Sequence, residues 1–246
     1  MSNRFLRKAN AGEIVQKLVI KTVFERNLIA EGDRILIAVS GGKDSTVLSW
    51  ALSSIRNAIK KNYYLQGLHI SSDFCSCCKK IDLIKHLETW EIPFIDNFVP
   101  IIGRLKEGRK MNCYWCSTQR RTELLKYAME NNFNKIALGH HLDDIIETFF
   151  MNMMNKGKLS AMPIYLSYRK YPVTLIRPLG YVEEKDIIAC AEEKNILKSV
   201  CTCPYGINSE RRSIRTLINS LIGNDSAVKR RILQSLSSTP IDLLVE

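Results

Sequence analysis

Apolar residues at Ile14, Val15, Leu18, Val19 and Val23 recur at three- and four-residue spacing and predict a helix over 13–28. The pattern then changes. Gly32-Asp33 is followed by the continuous apolar run Ile35-Leu36-Ile37-Ala38-Val39, the signature of a strand buried on both faces. A glycine turn leads into a predicted helix over 44–60. A strand over 63–69, a helix over 79–90 and an extended segment over 92–99 follow. Further along, a helix is predicted over 116–132, with Leu124, Leu125, Ala128 and Met129 on one side. A strand over 135–138, a helix over 143–155, a strand over 173–176 and a helix over 183–195 complete the alternation. From Arg211 onward the pattern fits two short helices separated near Gly223-Asn224. Strands alternating with helices of this length predict an α/β, Rossmann-like fold, a mostly parallel sheet with helices on both faces. The segment 157–172 has no clear period and is expected to be a functional loop or lid. Three regions are expected: a helical segment over 1–28, an α/β domain over 29–200 that carries a cysteine pair, and a C-terminal cysteine-bearing basic helical extension over 201–246.

The strand ending at Val39 runs into Ser40-Gly41-Gly42-Lys43-Asp44-Ser45. Two glycines permit a tight turn with exposed N–H groups, and the following helix adds its positive end, so the turn suits an anion. Lys43 supplies a point charge, and the Ser40 and Ser45 hydroxyls can donate to phosphate oxygens. A Walker A loop needs a glycine where Ile37 stands and Ser or Thr where Asp44 stands, so that motif is excluded. The dinucleotide fingerprint G-x-G-x-x-G is absent as well. The plainer reading is a Gly-Gly turn with Lys43 in solvent, but the strand–turn–helix context favours phosphate. The hexapeptide resembles the pyrophosphate loop of the ATP pyrophosphatase (PP-loop) superfamily. That resemblance implies an adenine nucleotide alpha hydrolase-like fold and cleavage of ATP between its α and β phosphates. Lys43 and the loop amides would hold the β and γ phosphates. Asp44 would serve Mg²⁺, although an Asp at a helix N-terminus is also favoured by the dipole alone.

A second cluster, Gly139-His140-His141-Leu142-Asp143-Asp144, follows the strand over 135–138. In parallel sheets ligands sit at the carboxyl ends of the strands, so this cluster should share an edge with the loop. Gly139 would allow a close approach of ligand to backbone, His140 and Asp143 would contact the nucleotide, and Asp144 would join Asp44 at Mg²⁺. Helix capping is the competing role for the aspartates. Glu147 lies one turn after Asp143 and reads as a solvated residue.

Eight cysteines in a chain with only four histidines are the compositional anomaly. No stretch resembles a secretory signal or a membrane span, so a cytoplasmic location and reduced thiols are expected. Cys113-Tyr114-Trp115-Cys116 can chelate one metal centre or form a redox pair. Cys201-Thr202-Cys203 is tighter than a zinc ribbon. Three cysteines at a cubane cluster would leave one iron open to bind sulfide.

The motifs together resemble the tRNA 2-thiocytidine synthetase family over residues 30–220. They comprise Cys113-x-x-Cys116 with Arg120-Arg121, Ala137 to Asp144, 155–163, and Arg177-Pro178-Leu179. Cys203-Pro204-Tyr205 with Arg211, Arg212 and Arg215 is similar to the related tRNA 2-thiouridine synthetases. The resemblance implies ATP, Mg²⁺ and a 4Fe-4S cluster held by Cys113, Cys116 and Cys203, with Cys201 competing as third ligand. It implies adenylation of the C2 oxygen of a tRNA pyrimidine, cytidine 32 first, and replacement of that oxygen by sulfur. The catalytic set is then Lys43, Asp44, Cys113, Cys116 and Cys203. A homodimer supplied by a cysteine desulfurase or free sulfide is implied too. Alternatives are a 2-thiouridine synthetase, a small-molecule ATP pyrophosphatase with structural zinc, and a non-catalytic RNA-binding module. Cys75, Cys77 and Cys78 match no pattern of either branch, and Cys190 sits on an apolar helical face and reads as core.

The net charge is +11. Between Arg104 and Lys126 seven basic residues face two acidic ones, and between Thr148 and Pro178 there are five basic residues and no acid. Arg4, Arg7, Lys8 and Lys229-Arg230-Arg231 add basic ends. Such fields suit a phosphate backbone, here tRNA, and Tyr114, Trp115, Tyr165 and Tyr168 are candidates to stack on an extruded base.

Overall fold

The structure is a computed structural model that describes residues 9–74, 80–168, 170–196, 210–223 and 225–238. Cys75, Cys77, Cys78, Cys201 and Cys203, and the basic residues Arg4, Arg7, Lys8 and Arg169, lie outside the described residues.

The first helix, α1 (Ala11–Glu25), opens with a reciprocal cap. Asn10 accepts from the Glu13 N–H and Glu13 accepts from the Asn10 N–H. The strand β1 (Arg34–Ala38) is the centre of the sheet. Next to it lies β2 (Tyr64–Ser72), and beyond that β3 (Phe94–Val99) at one edge. On its other side come β4 (Lys135–Ala137), β6 (Thr174–Ile176) and β5 (Tyr165–Ser167). Five strands are parallel and only β5 runs antiparallel, so the expected α/β architecture holds.

The alternating side chains of β1 divide the core. Ile35 and Ile37 pack with α1, α2 (Lys43–Ser54), α4 (Lys80–Thr89) and α7 (Glu184–Glu193). Leu36 faces the opposite side with Leu68, Ile136 and Leu175, under Leu125 and Ala128 of α5 (Cys113–Glu130). A third apolar cluster joins α6 (Leu142–Lys156) to α8 (Glu210–Ile222) through Leu142, Ile146, Ile214 and Ile218, with Ile232 and Leu233 of α9 (Ser226–Ser238) packed against it. Among the described residues no helix is long and apolar enough to cross a membrane.

Three local expectations change. The helix predicted over 44–60 breaks at Ile55 into α2 and the short α3 (Arg56–Ile59). The Ser54 hydroxyl donates to the Ala51 carbonyl there, a side-chain bond that competes with the helical ladder. The helix expected from residue 116 begins at Cys113, because the Asn112 side chain caps it by accepting from the Trp115 N–H at 2.8 Å. The connector over 157–172 contains β5, three residues too short to announce themselves.

Order β3-β2-β1-β4-β6-β5 means the chain leaves β1 to one side and returns by β4 on the other. The crevice beyond the carboxyl ends of β1 and β4 is therefore the switch point where such sheets bind ligands.

Candidate active site

The loop after β1 is shaped by its own small side chains. Gly41 adopts φ +84°, where a Cβ would be strained, and Gly42 is the N-cap of α2. The Ser40 N–H donates to Ser45 Oγ at 3.1 Å, and Ser45 Oγ donates to the Gly42 carbonyl at 3.0 Å. Ser40 Oγ accepts from the Gly42 N–H at 3.3 Å. These bonds close the turn over the helix N-terminus, which suits an anion.

Gly139 bears directly on this loop. A Cβ there would stand 3.0 Å from the Ser45 nitrogen and 3.1 Å from the Asp44 carbonyl carbon. The backbone of the loop itself requires a glycine at this position. The first turns of α2 and α6 are thus locked backbone to backbone.

Around that contact lies a dense set of charges. His141 caps α6, its N–H donating to Asp144 Oδ2 at 3.1 Å. Its ring is buried. Burial opposes protonation, but Asp143, Asp144 and Asp44 around it prevail and raise the imidazole above its ordinary value. Asp143 Oδ2 accepts from the Glu184 N–H at 2.7 Å and Oδ1 accepts from Lys229 Nζ at 2.6 Å. Despite the cost of burial, the bonds from His141, Lys229 and the Glu184 backbone hold this carboxyl well below the usual range. Asp44 differs. Its Oδ1 is buried and accepts no well-directed hydrogen bond from the described residues, its charge contact being Lys43 Nζ at 3.0 Å.

Lys43 is itself shared. Its Nζ donates to Glu184 Oε1 at 2.9 Å, and Arg215 Nη1 from α8 stands 3.4 Å from Glu184 Oε2. Arg215 Nε donates to the buried Glu147 at 2.5 Å. Burial lowers the Lys43 amine, but Glu184 and Asp44 more than compensate and raise it. The same pairing keeps the Glu184 carboxyl low against its burial.

The cysteine pair occupies the first turn of α5, with Cys113 exposed and Cys116 partly so, three residues apart and therefore on one face. Because α5 links the parallel strands β3 and β4, its N-terminus stands at the carboxyl edge of the sheet. Arg177, just past β6, donates from Nη1 to the Pro163 carbonyl at 2.5 Å and from Nε to His140 Nδ1 at 3.3 Å. Burial, aided by Arg121 on α5, pulls its guanidinium down to about 10. Among the described residues no group of three or more metal-ligating side chains occurs.

These features coincide with a family model described as a PP-loop domain, which matches residues 13–221. A tRNA-cytidine(32) 2-sulfurtransferase of Geobacter sulfurreducens is 34 % identical over 234 residues, covering 91 % of this chain and 89 % of that protein. The enzyme of the same name from Legionella pneumophila is 34 % identical over 239 residues, covering 94 % and 83 %. The chain belongs to the tRNA-cytidine(32) 2-sulfurtransferase family. Among solved structures it is similar to the U34-tRNA thiolase NcsA of Methanococcus maripaludis with its [4Fe-4S] cluster. The TM-score is 0.75 at 21 % identity, with 96 % of this chain and 82 % of that one covered. The NMN synthetase of Francisella tularensis shares the fold more distantly, with a TM-score of 0.55 at 16 % identity over 94 % and 92 % of the chains.

Within this 2-sulfurtransferase family member, some expected roles shift. Arg177 and Lys229, counted above as basic surface, are both buried and hold internal partners. Glu147 is buried on Arg215 rather than solvated. Trp115 packs on the core with its Nε1–H donating to the Ile101 carbonyl, whereas Tyr114 is 82 % exposed and Tyr165 also faces solvent. Sequence reasoning missed Glu184. It also passed over Lys229, although Lys229, Ile232, Leu233 and Leu236 fall on one helical stripe that turns the lysine inward.

Proposed function

We propose that this chain is an ATP-dependent tRNA sulfurtransferase that converts cytidine 32 to 2-thiocytidine. The observation that carries the reading is the backbone contact of Gly139 with Asp44 and Ser45, which joins the phosphate loop to the His140–Asp144 cluster. Family membership supplies the substrate class.

In this reading the amides of Ser40 to Ser45 and Lys43 hold the β and γ phosphates of ATP. Mg²⁺ would be held by Asp44 and Asp144, and the buried Asp44 oxygen with no directed hydrogen bond suits a cation. His140 and Asp143 belong to the nucleotide side of the site, Asp143 acting through the Glu184 backbone it fixes. The C2 oxygen of the cytidine attacks the α phosphorus and pyrophosphate leaves. Sulfur then attacks C2, the C2–O bond breaks, and AMP departs with the oxygen. A carbonyl oxygen does not leave unaided, so ATP use precedes sulfur entry.

Cys113 and Cys116, on one face of the first turn of α5, suit a shared metal centre, with Cys203 as third ligand. A 4Fe-4S cluster bound there would supply the sulfur through its open iron. Tyr114, next to Cys113 in the first turn of α5, presents an exposed ring for an extruded base. The basic residues Lys106, Arg109 and Lys110 flank it and suit the tRNA backbone. The resemblance further supports a cytoplasmic homodimer receiving sulfur from a cysteine desulfurase or from sulfide.

Mass analysis of nucleosides in tRNA from a deletion strain tests the reading. Loss of 2-thiocytidine is expected, loss of 2-thiouridine would move the chain to the other branch, and loss of neither would refute the activity. Cys113→Ala should abolish thiolation and the iron and acid-labile sulfide of the anaerobic protein, with ATP binding retained. Zinc in place of iron would refute the cluster.

A further inference from the structure

We propose that Arg215 is a polyphosphate-binding residue of the ATP site, brought to it by α8, and that Glu184 holds its place until the nucleotide arrives. The inference rests on the reading of Lys43 as the phosphate-loop lysine and extends the site to a helix outside the nucleotide-binding crossovers.

The geometry starts from two cations on one carboxylate. Lys43 Nζ meets Glu184 Oε1 at 2.9 Å, and Arg215 Nη1 stands 3.4 Å from Oε2 of the same group. Lys43 is the first residue of α2, so its stem is fixed by the loop. An anion that takes Lys43 from Glu184 therefore arrives within reach of the Arg215 guanidinium. Phosphate, like carboxylate, offers two oxygens to a planar fork, the pairing that favours Arg over Lys.

Arg215 is placed to make that exchange. Its Nε is anchored on Glu147, whose side chain is 4 % exposed, while the arginine side chain remains 43 % exposed. The anchor accounts for one edge of the guanidinium, and Nη1 extends from it toward Glu184. A cavity of about 240 Å³ lined by Glu147, Glu184, Lys185, Arg215 and Lys229 gives these side chains room to move. Glu184 can yield without unwinding α7, because Asp143 holds its backbone N–H and leaves its side chain to rotate. Left in place, that carboxylate repels the incoming phosphates, so its departure and the capture of Arg215 occur together.

Calorimetric titration of the full chain with pyrophosphate, ATP and AMP, in the presence of Mg²⁺, tests this. Arg215→Gln should weaken pyrophosphate and ATP about tenfold or more, the scale of one charge-assisted hydrogen bond, and leave AMP unchanged. Glu184→Gln should tighten pyrophosphate several-fold by releasing both cations. Arg215→Lys, which keeps charge and packing but loses the fork, is the second variant should the first fail to fold. It should weaken pyrophosphate and spare AMP. Wild-type pyrophosphate affinity in the arginine variants, or equal losses for AMP and pyrophosphate, would overturn the proposal. Lys43→Gln separates the two readings. If it leaves pyrophosphate binding intact, the phosphate-loop assignment itself fails; if it alone abolishes binding, only the role of Arg215 does.

Discussion

Lys229→Met isolates the buried ion pair beneath the nucleotide edge. Lys229 Nζ lies 2.6 Å from Asp143 Oδ1 and 3.6 Å from Glu183 Oε2, and the lysine side chain is 8 % exposed. Removing one partner of a buried pair costs about 3–5 kcal/mol, because the other charge stays behind without compensation. Asp143 keeps the Glu184 N–H, so the low end of about 3 kcal/mol is expected. For a chain of this size that corresponds to a melting temperature lowered by roughly 6–12 °C. Asp143→Asn retains the shape and an acceptor for that N–H, and should cost less. The double variant should recover part of the loss, since it removes the stranded charge. The acid limb carries the same information. Asp143 is held below its ordinary value of 3.8, so its contribution is fully present above that pH and is lost progressively as pH falls from there through the lowered value of the folded state. Lys229→Met should flatten that loss. Thermal unfolding of the metal-free protein across pH checks all three variants. A Lys229→Met protein melting within about 2 °C of wild type, or strictly additive losses in the double variant, would refute the reasoning.

Three further outcomes follow from contacts elsewhere in the site. Gly139→Ala puts a Cβ 3.0 Å from the Ser45 nitrogen, and backbone must shift by a few tenths of an ångström to restore an ordinary contact. About 1–3 kcal/mol of destabilisation and a loss of ATP affinity larger than that of tRNA affinity are expected, measured by unfolding and titration. Arg177→Met severs the bonds to Pro163 and His140 and should speed amide hydrogen exchange over 157–164 by at least tenfold, with exchange in α1 unaffected. Iodoacetamide at pH 8 should modify Cys113 in cluster-free protein and spare Cys190, whose thiol burial pushes up to about 12, until the chain unfolds; mapping of alkylated peptides checks this.

The phosphate loop was legible because its chemistry is contiguous. Strand, Gly41-Gly42, Lys43 and helix start follow one another in ten residues, and each local preference agrees with the next. The Gly139–Asp144 cluster was legible for the same reason, though the reason for its glycine was not. That glycine answers to Ser45, nearly a hundred residues earlier, and only the sheet order brings the two together. Glu184 was invisible because an acidic residue in the first turn of a helix has an ordinary explanation in the dipole. Lys229 hid inside a basic triplet, where neighbours Arg230 and Arg231 are exposed and it alone turns inward. The cap at Asn112 shows a smaller effect of the same kind. An irregular connector drew the predicted helix start back to Cys116, yet one side-chain acceptor suffices to place both cysteines within the helix.

The helical hairpin of α8 and α9 has a consequence for the order in which the site is made. Every strand of the sheet, the phosphate loop and the cysteine pair precede it in the chain, yet the counter-charges for Glu147 and Asp143 reside on it. A nascent chain emerging from the ribosome can form the sheet before those cations exist, with a cluster of carboxylates at its nucleotide edge. The edge therefore gains Arg215 and Lys229 only once α8 and α9 have been synthesised and have packed on α6, and a polypeptide ending before them holds Glu147 and Asp143 without those two partners.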